Sequence, residues 1–84
     1  MKYRNRTDII AEMLESASGY SITKTKIMYK AYVPHEQISY YVQLLVENDL
    51  LSFDQGTRHY QTTAKGQQFL DRYSLLHDCI ADAM

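Results

Sequence analysis

Positively charged side chains are concentrated in the N-terminal part of this 84-residue chain. Residues 1–34 contain six lysines and arginines against three acidic residues, whereas residues 35–84 contain three against seven. A surface with an excess of cations attracts anions such as phosphate groups. The predicted phosphate-contacting residues are Arg4, Arg6, Lys24, Lys26, Lys30 and Arg58, with Thr25 adding a hydroxyl. The alternative is that these side chains only form a solvent-exposed charged surface without a binding role.

A second set of polar side chains occurs at helical spacing between residues 35 and 47. Ile38, Tyr41, Val42 and Leu45 form the apolar side of this predicted helix, which leaves the other side polar. An amide there can pair with adenine, and a carboxylate can accept a hydrogen bond from cytosine, as in helices that contact DNA bases. The predicted base-contacting residues are Glu36, Gln37, Ser39, Tyr40 and Gln43. An alternative for Glu36 is a first-turn interaction with the helix dipole.

The residue types needed for catalysis or metal binding are present but poorly spaced. His77 and Cys79 are two apart in a predicted helix and so point to different sides, which argues against a zinc site. His35 and His59 are isolated, and no nucleotide-binding glycine motif occurs. We therefore expect no enzyme activity, no metal and no cofactor. One cysteine, and no apolar run of membrane-spanning or signal-peptide type, favour a cytoplasmic protein without a membrane partner.

Capping residues and apolar spacing divide the first half of the chain into three helices. Thr7 is the predicted N-cap of a first helix over about residues 8–17. Ser21 or Thr23 would cap a second helix that reaches about Ala31. The third is the polar-faced helix described above, which follows a proline suited to its first position.

The second half of the chain predicts a hairpin followed by a long helix. Residues 50–53 and 58–62 alternate in polarity as two strands, and the segment between them contains the glycine that a turn favours. Thr63 would cap a last helix that continues to the C-terminus. Its apolar residues recur at spacings of four and three, the pattern of a coiled-coil seam. Phe69 is expected on the core of its own domain. The residues predicted to contact a second copy are Tyr73, Leu76, Ile80 and Ala83.

The predicted order of elements is helix, helix, helix, strand, strand, helix. This order indicates a mainly α fold with a small β-hairpin, the winged helix-turn-helix arrangement. We expect residues 1–66 to form the DNA-binding part and residues 64–84 to form a C-terminal coiled-coil dimerisation helix of the same domain.

Three blocks of the sequence resemble one known family. They are Tyr3-Arg4-Asn5-Arg6 before Asp8-Ile9-Ile10, then Lys24-Thr25-Lys26-Ile27-Met28-Tyr29, and finally Thr63-Ala64-Lys65-Gly66 before Phe69-Leu70. They resemble the archaeal winged helix-turn-helix family of small DNA-binding regulators and chromatin-associated proteins. The resemblance implies duplex DNA as a partner and homodimers formed by an antiparallel coiled coil of C-terminal helices. In one departure, Asp49 stands where the family has glycine, and we expect Asn48 to end the third helix instead.

Two functional hypotheses follow from the sequence. The first is a homodimer that binds double-stranded DNA, sequence-specifically or architecturally, as a transcriptional regulator. The alternative is a winged-helix adaptor that binds another protein and not DNA. Four tyrosines lie close to the junction of the second and third predicted helices, namely Tyr29, Tyr32, Tyr40 and Tyr41. Such aromatic patches are typical of protein interfaces.

Overall fold

The described part of the chain forms helices and strands in the predicted order. The structure, a computed structural model, describes the backbone of residues 4–83 and the side chains of residues 4–76. Its elements are α1 (Arg6–Ser16), α2 (Lys24–Ala31), α3 (His35–Glu47), β1 (Leu51–Asp54), β2 (His59–Thr62) and α4 (Ala64–Ala83). The predicted bounds of α3 are confirmed, whereas α1 and both strands begin at other residues than predicted.

The start of α1 differs from the prediction because a residue further upstream forms a better cap. The Asn5 side chain accepts a hydrogen bond from the Asp8 backbone N–H at 2.8 Å, and the Asp8 carboxylate accepts one from the Asn5 N–H at 3.2 Å. This reciprocal capping box satisfies N–H groups that the helix itself leaves without partners. Thr7 therefore lies inside the helix, and its prediction as N-cap is wrong.

The end of α3 is a Schellman motif, a turn in which two N–H groups bond back to carbonyls of the last helical turn. The Asp49 N–H donates to the Val46 carbonyl at 3.1 Å, and the Leu50 N–H donates to the Leu45 carbonyl at 2.9 Å. Asn48 caps the helix but has φ −95°. The left-handed conformation falls on the next residue, Asp49, with φ +60°. Asp49 thus adopts the backbone that glycine favours.

The buried core lies between the first three helices and the hairpin. Its largest fully buried side chains are Met13, Leu14, Ile27, Leu45 and Leu51. Each such side chain stabilises the fold by about 1.5–3 kcal/mol relative to an exposed one. The Thr62 hydroxyl donates to the Leu14 carbonyl at 2.5 Å, which ties the end of β2 to α1. The core therefore supports α2 and α3 from one side and leaves their outer sides exposed.

The hairpin is joined to the segment before α2. In the antiparallel β1–β2 pair, Leu51 lies opposite Thr62 and Phe53 opposite Tyr60. On the other edge of β2, Ile22 exchanges two backbone hydrogen bonds with Tyr60, at 2.9 and 2.7 Å. Because Ile22 immediately precedes the first turn of α2, this bridge fixes the hairpin beside the start of that helix.

The start of α4 lies against the end of α3. The Thr63 hydroxyl accepts a hydrogen bond from the Gly66 N–H at 3.0 Å and donates one to the Asp49 carbonyl at 2.6 Å. Thr63 thus acts as the cap that the sequence predicted. A Cβ atom on Gly66 would lie 2.5 Å from the Leu50 carbonyl oxygen, so glycine is required for this close approach.

Candidate nucleic-acid interface

The predicted base-contacting residues all lie on the exposed side of α3. They are Glu36, Gln37, Ser39, Tyr40 and Gln43. At about 100° per residue, Glu36 and Gln43 are opposite the buried side of the helix. Ser39 and Tyr40 lie on either side of that line, each facing one flank of α3. The helix therefore presents a polar ridge with two flanks.

On the Ser39 flank, the neighbouring cation is Lys24. Its Nζ atom donates a hydrogen bond to Ser39 Oγ at 3.3 Å, which links the start of α2 to α3. Lys24 also lines a concave surface together with Thr25, Gln55 and Arg58. The fold thus brings three of the predicted phosphate-contacting residues together between α2 and the hairpin.

The first turn of α2 combines positive charge with exposed N–H groups. It contains Lys24 and Lys26 and no acidic residue. The N-terminus of a helix carries a partial positive charge, so both lysines stand where a carboxylate is favoured. Thr23 accepts a hydrogen bond from the Lys26 N–H at 3.2 Å, and the preceding N–H groups of the helix lack helical partners. An anion here would be stabilised by the dipole, the N–H groups and the ammonium groups together.

On the Tyr40 flank, the neighbouring cation is Arg6 in the first turn of α1. Its Nη2 atom donates to the Tyr40 hydroxyl at 2.6 Å, and its guanidinium carbon lies 5.5 Å from the centroid of the tyrosine ring. Both residues were predicted to contact DNA, but their contact with each other was not foreseen. The sequence feature that could have indicated this contact is the position of Arg6 in the first turn of a helix, where the helix dipole disfavours a cation.

Two other predicted phosphate-contacting residues are engaged within the chain. Arg4 donates to the Ala31 carbonyl at 2.5 Å and forms an ion pair with Glu12. Lys30 donates a hydrogen bond to the Tyr20 hydroxyl, and its ammonium nitrogen lies 4.8 Å from the centroid of that ring. Neither joins the cations around α3, and their contact with phosphate stays a prediction.

Carboxylates lie at both ends of the α3 ridge, on the side of the helix opposite the core. Glu36 and Glu47 are both exposed, and Gln43 Nε2 donates to Glu47 Oε2 at 3.3 Å. Negative charge along the ridge repels phosphate groups, whereas Lys24 and Arg6 on the flanks attract them. This arrangement suits an anionic partner whose charges lie on both sides of the helix and whose hydrogen-bond donors face its centre.

Metal-ligating clusters and membrane-spanning helices are both absent from the described residues. Among the side chains of residues 4–76, no group of three or more His, Cys, Asp and Glu residues could hold a metal ion. The side chains of His77 and Cys79 lie outside the described residues. Within residues 4–83, no helix is long and apolar enough to cross a membrane.

The predicted dimer contacts lie along α4. The Tyr73 hydroxyl donates to Asp8, and its ring stacks on Phe69 with centroids 6.3 Å apart, so Tyr73 also packs within its own chain. Leu76 is 62% exposed and lines an apolar groove together with Leu50 and Tyr73. The other two predicted contacts, whose side chains lie outside the described residues, are Ile80 and Ala83.

The contact between Tyr73 and Asp8 fixes α4 against the start of α1. The hydrogen bond to the Asp8 carboxylate raises the pKa of Tyr73 to about 12, and partial burial and the negative charges of Asp8 and Glu12 act in the same direction. The phenol therefore remains protonated, and able to donate, over the whole neutral range.

Comparison with known proteins assigns this fold to a family. The sequence matches the winged helix-turn-helix family over residues 3–81. The chain belongs to the winged helix-turn-helix family. In this winged helix, α2 and α3 form the helix-turn-helix, α3 occupies the position of the recognition helix, and the β1–β2 hairpin is the wing.

The winged helix is also similar to a crystal structure of Sso10a-2, a DNA-binding protein from Sulfolobus solfataricus. The TM-score is 0.77 at 18% sequence identity, and the match covers 95% of this chain and 88% of the other. This likeness confirms the predicted fold, with its hairpin and long C-terminal helix. Comparison with curated protein sequences finds none that matches.

Proposed function

We propose that this winged helix binds double-stranded DNA, with α3 in the major groove, and serves as a homodimeric transcriptional regulator. The first turn of α2 carries the proposal, since Lys24 and Lys26 stand at a helix N-terminus without a first-turn acid. Among residues 4–76, the one ion pair joins Arg4 to Glu12, so these lysines have no carboxylate partner there. A phosphate group would supply the missing negative charge.

The ridge of α3 supplies groups that contact bases. An α-helix fits the major groove, where Gln43 is suited to adenine and Glu36 to the amino group of cytosine. The wing would follow the neighbouring phosphates with Arg58, which lies in the same concave surface as Lys24 and Thr25. Base contacts thus come from the centre of the interface and phosphate contacts from its edges.

The test is the salt dependence of DNA binding, with two lysines of α2 compared. Fluorescence anisotropy of a labelled duplex of about 30 base pairs would give the affinity between about 50 and 200 mM salt. Lys24→Met removes a charge beside α3, whereas Lys30→Met removes the same charge on the flank of α2 that carries the Tyr20 contact. Log affinity falls as log salt rises. We expect Lys24→Met to make this fall shallower, by about 0.9 in slope, and Lys30→Met to leave the slope nearly unchanged.

Two results would contradict this proposal. Absence of duplex binding at low salt, on random and genomic fragments alike, would remove DNA as the partner. Equal effects of the Lys24 and Lys30 substitutions would mean that binding reflects overall charge and not the surface beside α3. Circular dichroism of each variant controls for folding.

We also propose that two copies associate through the apolar side of α4. Leu76 continues the side on which Phe69 and Tyr73 pack, yet it is 62% exposed. An exposed leucine next to an open apolar groove would be covered by the same helix of a second copy. In such a dimer, symmetry places the two α3 helices on two half-sites.

Sedimentation equilibrium of two leucine variants tests the dimer. Leu76→Glu places a charge in the seam, and Leu75→Glu places the same charge on a neighbouring leucine that is 68% exposed but lies about 100° away around the helix. We expect a monomer for Leu76→Glu and a dimer for Leu75→Glu. A monomeric unaltered chain, or dimers for both variants, would contradict the proposed seam.

The adaptor function remains as the second candidate because of its exposed tyrosines. Tyr29 and Tyr32 are 70% and 79% exposed, which is unusual for large aromatic side chains and typical of protein interfaces. Tyr41, in contrast, belongs to the core. A stoichiometric complex with one protein, lost on Tyr29→Ala and formed by a chain that binds no duplex, would favour this candidate over DNA binding.

A further inference from the structure

We infer that Tyr40 is a positioning residue that holds Arg6 against the DNA backbone and does not itself contact a base. This inference rests on the proposed DNA binding. The Tyr40 hydroxyl already accepts a hydrogen bond from Arg6 Nη2 at 2.6 Å, and the guanidinium group lies beside the tyrosine ring. The hydroxyl that would contact a base or a phosphate is thus used to orient a cation.

The start of α1 does not itself require an arginine at position 6. A cation there opposes the helix dipole, and the capping box is made by Asn5 and Asp8 without it. Within residues 4–76, no ion pair involves Arg6. A residue that violates a local preference, and whose described contacts are with a side chain on the exposed side of α3, is characteristic of a functional surface.

The bonding of Arg6 leaves it able to bind a phosphate group. A guanidinium group has five N–H donors, and Tyr40 takes one of them. The remaining donors suit a phosphate, for which arginine forms paired hydrogen bonds. Because Tyr40 restricts the long side chain before DNA arrives, less conformational entropy is lost on binding.

The position of Arg6 complements that of Lys24. Ser39 and Tyr40 are adjacent in α3, so the cations bonded to them stand about 100° apart around the helix axis. A major groove is bounded by one phosphate backbone on each side. With α3 in the groove, Lys24 faces one backbone and Arg6 faces the other, and together they fix the rotation of the helix about its axis.

The test is a double-variant cycle measured by duplex binding at several salt concentrations, on two unrelated sequences. Arg6→Met should lower the salt slope by about 0.9, so that raising salt from 50 to 200 mM costs about three- to fourfold less affinity than in the unaltered chain. Tyr40→Leu should give most of the same change on both sequences. Adding Tyr40→Leu to Arg6→Met should change little further. Tyr40→Phe, which keeps the ring, should be intermediate.

The outcomes separate this inference from the function on which it rests. If the unaltered chain and Lys24→Met behave as proposed but Arg6→Met leaves the slope unchanged, the inference is overturned and DNA binding stands. A loss confined to one sequence in Tyr40→Leu, with an unchanged slope, would make Tyr40 a base contact and also overturn it. No duplex binding by the unaltered chain overturns both. Thermal melting monitored by circular dichroism confirms that each variant is folded at the assay temperature.

Discussion

Single residues with left-handed backbone conformations form three junctions of this winged helix. Tyr32, Asp49 and Arg58 have φ angles of 55°, 60° and 59°, at the end of α2, the end of α3 and the wing turn. This conformation brings the Cβ atom of an L-residue close to its own backbone, and glycine avoids that cost. The junctions therefore hold their geometry at some expense in stability.

Asp49→Gly should stabilise the chain. Glycine relieves the left-handed strain at the end of α3 without loss of a side-chain hydrogen bond described for Asp49, and we expect a gain of about 0.5–1 kcal/mol. Urea denaturation followed by circular dichroism measures it. Asn48→Gly is the matched control, because Asn48 has φ −95° and its side chain donates to the Leu44 carbonyl. Greater stability in the control than in Asp49→Gly would refute the explanation.

Gly66→Ala should be strongly destabilising. The added methyl group would lie 2.5 Å from both the Leu50 carbonyl oxygen and the Thr62 Cγ2 atom. The start of α4 would therefore have to move away from the segment between α3 and β1 and from the end of β2. We expect a loss of about 3 kcal/mol, in the upper range for overpacking. Alanine at exposed Gln68 in the same helix is the control and should be nearly neutral. A small effect at Gly66 would show that this contact adapts easily.

At the scale of elements, α2 shows a conflict between stability and the proposed function. Lys24 and Lys26 stand at its positive end, and Lys30 stands at its negative end, where a cation is favourable. The first pair costs stability in the free protein, and bound phosphate groups would remove that cost. Elements that carry binding surfaces commonly show this compromise.

Lys26→Glu should therefore raise stability while it weakens binding. We expect a gain of about 0.3–1 kcal/mol from the helix dipole, and a loss of DNA affinity of tenfold or more. Lys30→Glu makes the same charge change at the other end of α2 and should lower stability. Urea denaturation and anisotropy on the same samples give both quantities. A Lys26→Glu variant that is less stable than the unaltered chain and binds DNA equally tightly would contradict this explanation.

The elements also show what sequence patterns can and cannot predict. The bounds of α3 follow from its apolar stripe and from Pro34, because both act locally. The start of α1 was misplaced because Asn5 and Thr7 are both good caps, and the spacing from Asn5 to Asp8 decides between them. The contact of Arg6 with Tyr40 depends on how α1 and α3 are placed by their shared packing on α2. That placement cannot be inferred from the spacing of apolar residues in either helix.

At the scale of the whole molecule, the hydrogen bond between Tyr73 and Asp8 ties the last helix to the first. The pKa of Tyr73 is about 12 in the folded chain and near 10 in an unfolded one. Between these values the unfolded chain loses the phenol proton while the folded chain keeps it. The stability that this contact contributes is therefore complete below about pH 10 and is lost as the pH rises toward 12.

Tyr73→Phe should remove this part of the alkaline sensitivity. We expect the unaltered chain to be more stable than Tyr73→Phe by about 1 kcal/mol at pH 8, with the difference shrinking above pH 10. Urea denaturation at pH 8, 10 and 11 compares the two. All other ionisable groups are common to the two chains, so the difference between the chains isolates Tyr73. If the difference in stability between the two chains grew as the pH rises, the predicted direction of the pH dependence would be wrong.

The bond from Thr62 to the Leu14 carbonyl has a consequence for synthesis of the chain. Leu14 leaves the ribosome early, but its partner lies 48 residues later, and β2 and α4 come last. Closing the long loop between Leu14 and Thr62 costs conformational entropy, and the contacts that offset this cost form only when Thr62 is available. We therefore expect the nascent chain to expose its future core until β2 has left the ribosome. Folding of the winged helix would then start once its hairpin is available, and not helix by helix as the chain emerges.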